Sequence, residues 1–287
     1  MQTIASSLIA GLAITAVAAG SSAGAEAISA SQLKEHTHIH GLAVDRQDPE
    51  KLLIATHHGL FRSGPDGKAE LISPVQDFMG FSPDPSDPNS LYASGHPAGG
   101  GNLGFIASTD NGATWEQVSP GANGPVDFHQ LTVSSADPQV LYGAYGSLQV
   151  SRDAGKTWSV VGPPPEKLID LAASAKNADT LYAATVGGLS ISRDGGQSWE
   201  TVMDGAPVSL VEVAADGSLY AFVLGRGLVR SAKLAMDFKT ISDTWGEQIL
   251  LHLAVDPADK DRMFAATHQG DILASTDGGA SWTKFGQ

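Results

Sequence analysis

Nine histidines stand out: His36, His38, His40, His57, His58, His96, His129, His252 and His268. His36, His38 and His40 alternate with Thr37 and Ile39. An extended run would place the three imidazoles on one side, with successive Cβ atoms roughly 6.5–7 Å apart. Two imidazoles at i and i+2 can reach one metal ion. Neutral imidazole suits Zn, Cu, Ni or Fe, and the chain has no cysteine to offer a competing thiolate. The absence of cysteine also excludes disulfides and thiol nucleophiles.

The elements that must position these side chains are written as a repeat. Ser-x-Asp-x-Gly-x-(Ser/Thr)-Trp occurs at 108–115, 151–158, 192–199 and 275–282. A Leu-Ala-Val-Asp phrase stands at 42–45 and 253–256, with variants at 131–134 and 171–174. A Leu-Tyr-Ala-Ala-Thr phrase stands at 181–185, with variants at 52–56, 91–94, 141–144, 219–222 and 263–267. Aligned together they give six units starting near residues 38, 77, 127, 167, 208 and 249. The one long step contains the glycine-rich insertion 97–104. Each unit holds four short strand-like runs, a to d, separated by turn signals. Units of about forty residues with four strands are the signature of propeller blades. A four-stranded sheet cannot bury both faces alone, and a closed ring buries each face against a neighbour. The expectation is an all-β chain: a single domain over 28–287, forming a six-bladed β-propeller of four-stranded antiparallel blades.

The Ser-x-Asp-x-Gly-x-(Ser/Thr)-Trp phrase resembles the Asp-box, or BNR repeat, found in sialidases, sortilin-type receptors, some glycoside hydrolases and photosystem II assembly factors. The resemblance covers nearly all of 38–287, with four well-matched copies and two degenerate ones. It implies a propeller and leaves function open. Asp110, Asp153, Asp194 and Asp277 are expected to brace hairpin turns, with Trp115, Trp158, Trp199 and Trp282 buried between blades. Four equivalent copies argue against catalysis, which needs one constellation.

Placed on this frame, all nine histidines fall at the start of strand a or the end of strand b. Antiparallel neighbours bring those positions to one end of a blade. The histidines therefore share one face of the disc, in units 6, 1, 2 and 3, and units 4 and 5 have none. The expected metal ligands are His38, His40, His57, His96, His129 and His268, with His38, His40 and His57 of unit 1 at the centre. His36, His58, His252, Met79, Asp77 and Asp127 are possible additional ligands, and Cu or Zn is the expected ion. A plain polar binding face for a small polar ligand is the competing reading.

Composition narrows the rest. Lys and Arg total 17 against 31 Asp and Glu, a net charge of −14. That argues against nucleic acid and anionic lipid as partners. There are seven arginines, and no triad of them gathers on the histidine face to hold a sialic acid carboxylate. A non-sialidase glycoside hydrolase using Asp127, Asp170 or Glu212 remains an alternative, as does a protein-binding assembly scaffold. For the latter, the 97–104 insertion and the Trp245 loop are candidate contacts. A non-catalytic monomer is the favoured expectation.

Residues Ile4–Ala19 form an apolar stretch of 16 residues, short for a bilayer span. Ala23-Gly-Ala25 and Ala25-Glu-Ala27 both fit an A-x-A cleavage site, although no Lys or Arg precedes them. Residues 1–27 read as a signal peptide, with a periplasmic or secreted destination and no membrane insertion after cleavage. The exported protein is expected to begin near Glu26 or Ile28. N-terminal sequencing checks this, and a membrane-bound product still starting at Met1 would overturn it.

Overall fold

Short runs rich in Leu, Ala, Val and Tyr, each closed by a glycine or Asp-containing turn, pair into six four-stranded antiparallel sheets; the first carries a fifth, short strand. The computed structural model describes residues 28–232 and 236–286, and the proposed signal peptide lies outside it. The innermost strands a are Ile39–Val44, Met79–Pro83, Gln130–Val133, Leu168–Ala173, Val208–Val213 and Leu250–Val255. These starts follow the six expected units. The sheets form a six-bladed propeller, with the inner strands lining a central channel of about 510 Å³.

One apolar cluster fills each junction between blades. Phe78, Phe81 and Leu60 meet between blades 1 and 2, and Phe105, Phe128 and Trp158 between blades 2 and 3. Leu42, Ile54, Ala254 and Phe264 join blade 6 back to blade 1, which closes the ring. The closing junction holds an element that the repeat did not reveal, a helix at Ala30–His36. Ser29 and Gln32 form its capping box, and Ala30 and Leu33 are buried in the junction. Lys34 pairs with Asp271 of blade 6 at 2.7 Å, and the short strand Ile28–Ser29 pairs outside blade 1. Among the described residues, no helix is long and apolar enough to cross a membrane.

The four Asp-boxes have one geometry. In the first, Asp110 accepts from the Thr114 backbone N–H (2.8 Å), the Thr114 hydroxyl (2.6 Å) and the Ser108 hydroxyl (2.8 Å). The Ser108 hydroxyl in turn accepts from Gly112 N–H at 2.9 Å, and the Trp115 indole donates to the Gly112 carbonyl at 2.9 Å. Asp153, Asp194 and Asp277 repeat the pattern. These hydrogen bonds hold the Asp194 and Asp277 carboxyls down at about 2, so they are charged and fully engaged. The box glycine has φ +81° at Gly155 and +92° at Gly112. A Cβ at either would overlap the strand c of the preceding blade, at Phe105 or Leu60.

Trp158 is buried, with its ring centroid 4.7 Å from Phe128 and 5.3 Å from Phe105, and its indole donates to the Gly155 carbonyl at 3.0 Å. Trp115, Trp199 and Trp282 are half-buried. Blade 5 has no box, and its Trp245 packs into the 5/6 junction, with its ring 5.4 Å from Phe222. The Trp245 loop is a candidate contact on the sequence; the indole itself is buried, its ring 5.8 Å from the box tryptophan Trp282 of blade 6. Trp158→Ala should cost about 3–5 kcal/mol in denaturant unfolding, and more than Trp199→Ala, because the larger buried face leaves the larger cavity. Equal small losses at both positions would contradict this packing.

Candidate metal centre

The histidine face is real in space. Ile39 pairs with Thr56, Met79 with Ser94 and Leu250 with Thr267, so the start of each strand a lies beside the end of its strand b. The imidazoles do not form one pool, however. Five of the nine gather at two blade junctions, each built around an aspartate that precedes a strand a.

At the 1/2 junction that residue is Asp77. The Phe78 N–H donates to the Thr56 carbonyl of blade 1 at 3.1 Å, and Asp77 N–H donates to the His96 carbonyl at 3.0 Å. Fully buried Phe78 anchors the segment, and Gly95, at φ +127°, lets the Asp77 carbonyl come close. The Asp77 carboxylate is thereby carried to blade 1. Its Oδ1 lies 3.1 Å from His57 Nδ1 and 3.8 Å from His40 Nε2. His40, His57 and Asp77 offer three ligand atoms within 4.8 Å of one another. Both Asp77 Oδ1 and His40 Nε2 are buried with no hydrogen-bond partner. Lone pairs that converge without an aligned hydrogen bond fit a metal ion of imidazole and carboxylate preference.

Strand a bulges at this point. Ile39 faces Thr56 and Gly41 faces Ala55, so His40 is the extra residue and its side chain is re-aimed. Burial first, then the neighbouring imidazoles led by His57, depress the His40 pKa to about 3. His40 therefore stays neutral and ready to ligate. Its ring centroid lies 4.1 Å from that of His57, and exposed His38 stands 5.6 Å from His57 on the other side. The expected pairing of His38 with His40 along one strand is replaced by an arrangement in which His57 stands between them.

At the 2/3 junction the aspartate is Asp127. Fully buried Phe128 anchors it, and its backbone N–H donates to the Ser94 hydroxyl at 2.9 Å. Asp127 Oδ2 lies 3.0 Å from His96 Nε2 and 2.9 Å from His129 Nε2. A repeated Asp-Phe dipeptide at 77–78 and 127–128 was the sequence signal for both anchors.

The other histidines go elsewhere. His36 ends the N-terminal helix, which breaks the extended run expected over His36, His38 and His40. His252 Nε2 donates to the Ile39 carbonyl at 3.2 Å across the closing junction, and burial lowers its pKa to about 4. His268 Nδ1 accepts from the Ile249 N–H at 3.2 Å within blade 6, and His58 is exposed. Met79 lines the channel at the repeat position of His40 and His129. None of these five joins either aspartate.

Two channel carboxyls lie outside both groups. Asp170 accepts from the Leu171 N–H at 2.8 Å and, across the 4/5 junction, from the Val211 N–H at 2.9 Å. It ties one inner strand edge to the next. Burial lifts it to about 7 despite those bonds, and burial lifts Glu212 to about 8 with help from Asp170.

The BNR/Asp-box repeat model matches residues 149–160, the box of blade 3. The chain is a six-bladed β-propeller that carries a BNR/Asp-box repeat. No curated protein sequence matches it. Among solved structures, the propeller is similar to a GH74 enzyme from Niastella koreensis, with a TM-score of 0.59 and 16% identity over 86% of this chain and 45% of that one. It is also similar to YCF48 from Cyanidioschyzon merolae (TM-score 0.54, 14% identity, 86% of this chain and 84% of that one) and to YCF48 bound to D1 peptide (0.52, 16%, 86% and 82%). This chain thus spans less than half of the GH74 structure but most of YCF48. At these identities the likeness is one of fold.

The channel carboxyls give this propeller a pH signature. Glu212 moves from 4.5 in the unfolded chain to about 8 when folded. The folded state holds the extra proton between those values, so stability falls as pH rises through that window. Glu212→Gln should remove this slope. Its stability relative to the natural chain should improve by about 2 kcal/mol between about pH 4 and pH 9, less than the full shift because channel water still reaches the carboxyl. Denaturant midpoints at both pH values check this, and a pH-independent difference would overturn it.

Proposed function

We propose that this propeller is an exported, non-catalytic protein that binds a transition-metal ion, Zn or Cu, at the junction of blades 1 and 2. The observation that carries the reading is the pair of orphaned atoms: Asp77 Oδ1 and His40 Nε2, both buried, face each other across 3.8 Å beside His57. A buried polar atom without a partner costs about 1–3 kcal/mol, and a bound cation would satisfy both. His38 stands beside His57, with ring centroids 5.6 Å apart. The ligands come from two blades, so the ion would staple the junction and bind the folded chain far better than the unfolded one. Export rests on the apolar stretch and A-x-A sites of residues 1–27.

A second reading, a peptide- or protein-binding face, has its own support. Val75, Tyr145 and Val186 are exposed at the same end of the blades as the histidines. YCF48, a propeller of similar extent, has been solved with a bound peptide.

The metal reading is tested by calorimetric titration of Zn²⁺ and Cu²⁺ into tag-free protein. His40→Ala, His57→Ala and Asp77→Asn should each weaken the tightest binding event at least tenfold, whereas His36→Ala and His58→Ala should leave it unchanged. Binding should also raise the melting temperature, and the rise should vanish in His40→Ala. Failure to detect binding tighter than about 100 μM, or binding indifferent to the His40 and Asp77 changes, would overturn the proposal.

A further inference from the structure

We propose that the junction of blades 2 and 3 is a second transition-metal site, formed by His96, Asp127 and His129. The inference extends the reading of the first junction and stands on separate residues. Asp127 is almost wholly buried; Oδ1 has no hydrogen-bond partner, and Oδ2 accepts from His129 Nε2 at 2.9 Å and faces His96 Nε2 at 3.0 Å. One oxygen of this buried carboxylate is left without a partner, and a cation there would offset its desolvation.

The tautomer of His96 sharpens the case. Its Nδ1 lies 2.7 Å from the Gly101 carbonyl, and a carbonyl only accepts, so Nδ1 carries a proton. In the neutral ring, Nε2 then turns a bare lone pair toward Asp127 Oδ2. Two lone pairs at that separation repel unless a cation joins them, either the proton of a charged imidazole or a metal ion that displaces it. Donation of the other ring N–H to a backbone carbonyl is one arrangement by which metal-ligating histidines are oriented.

The orienting carbonyl belongs to the 97–104 insertion, which gives that segment a use. Gly100 and Gly101 have φ +83° and +88°, conformations that bring the carbonyl back over His96. The insertion is tied down by Leu103 N–H to the Gly95 carbonyl and Gly104 N–H to the Val126 carbonyl, both at 2.9 Å, and by the Asn102 amide to the Pro125 carbonyl at 2.9 Å. Its loop is a fixed support.

The recurrence is independent of these contacts. His57 and His96 occupy one repeat position, and Asp77 and Asp127 occupy another. His40 and His129 occupy a third, where blade 2 has Met79. The second site therefore takes its second imidazole from blade 3. It is more open, with the His96 and His129 side chains 43% and 61% exposed, so its ion should exchange faster.

Equilibrium dialysis of tag-free protein against Zn²⁺, with metal per chain measured by atomic emission, tests this. The natural chain should take up two ions. His40→Ala/Asp77→Asn should take up one, His96→Ala/Asp127→Asn one, and the quadruple variant none. His129→Ala changes an exposed side chain that folding does not need, and it alone should weaken the second ion at least tenfold. If the natural chain takes up one ion, lost with His40 and Asp77 but kept without His96 and Asp127, the second site is refuted and the first stands. If it takes up none, both fall. Unaltered uptake in a folded His129→Ala variant also overturns the second site.

Discussion

Everything in this molecule depends on burying both faces of each four-stranded sheet against its neighbours. The Asp-box is the device that sets the spacing. Its carboxylate consumes the turn's own hydrogen-bond donors, and its glycine leaves room for the preceding blade. Gly112 meets Leu60, Gly155 meets Phe105, Gly196 meets Leu148 and Gly279 meets Leu228, each a strand c residue one blade earlier. The contact repeats four times around the ring because it is a packing constraint, and the carboxylates are spent within it.

Rigid junctions explain how carboxylates from one blade can meet imidazoles from the next. Phe78 and Phe128 belong to the apolar clusters of the 1/2 and 2/3 junctions, and each directly follows an aspartate. The apolar contact fixes the backbone, and the adjacent carboxylate is carried to the neighbouring blade without a strut of its own. Inner-edge polar groups are tied in the same junction-crossing way. The Asp170 carboxylate holds the Val211 N–H, the Ser209 hydroxyl donates to the Leu250 carbonyl at 2.6 Å, and His252 donates to the Ile39 carbonyl.

The repeat phrases made the blades, their number and the shared face of the histidines legible, because strand pairing translates sequence position directly into position along the blade. They could not show which imidazoles meet. That depends on a bulge that re-aims His40, on a helix that removes His36, and on backbone partners that occupy His252 and His268. The helix had a local signal, the Ser29-x-x-Gln32 capping box, but the alternation of His36, His38 and His40 suggested a strand. Asp77 and Asp127 were visible only as secondary ligands, since their central place comes from the approach of two blades.

The position of the two aspartates within the repeat explains why the aspartate–imidazole groups lie in only one part of the ring. The same position holds His38 in blade 1, Lys167 in blade 4, Pro207 in blade 5 and Ile249 in blade 6. It precedes strand a, at the margin of the apolar contact, where Ile249 still packs against the 5/6 cluster and blades 1 to 4 carry polar side chains. The partner position after strand b varies in the same way, and it holds His57, His96 and His268 in some blades and Val186 and Leu224 in others. A buried carboxylate is tolerable at such a position only if a cation or donors meet it. Both junctions with aspartate also bring two imidazoles, and blade 4, with Lys167, brings none. Acid and imidazole therefore occur together as units on a scaffold whose strands do not depend on either.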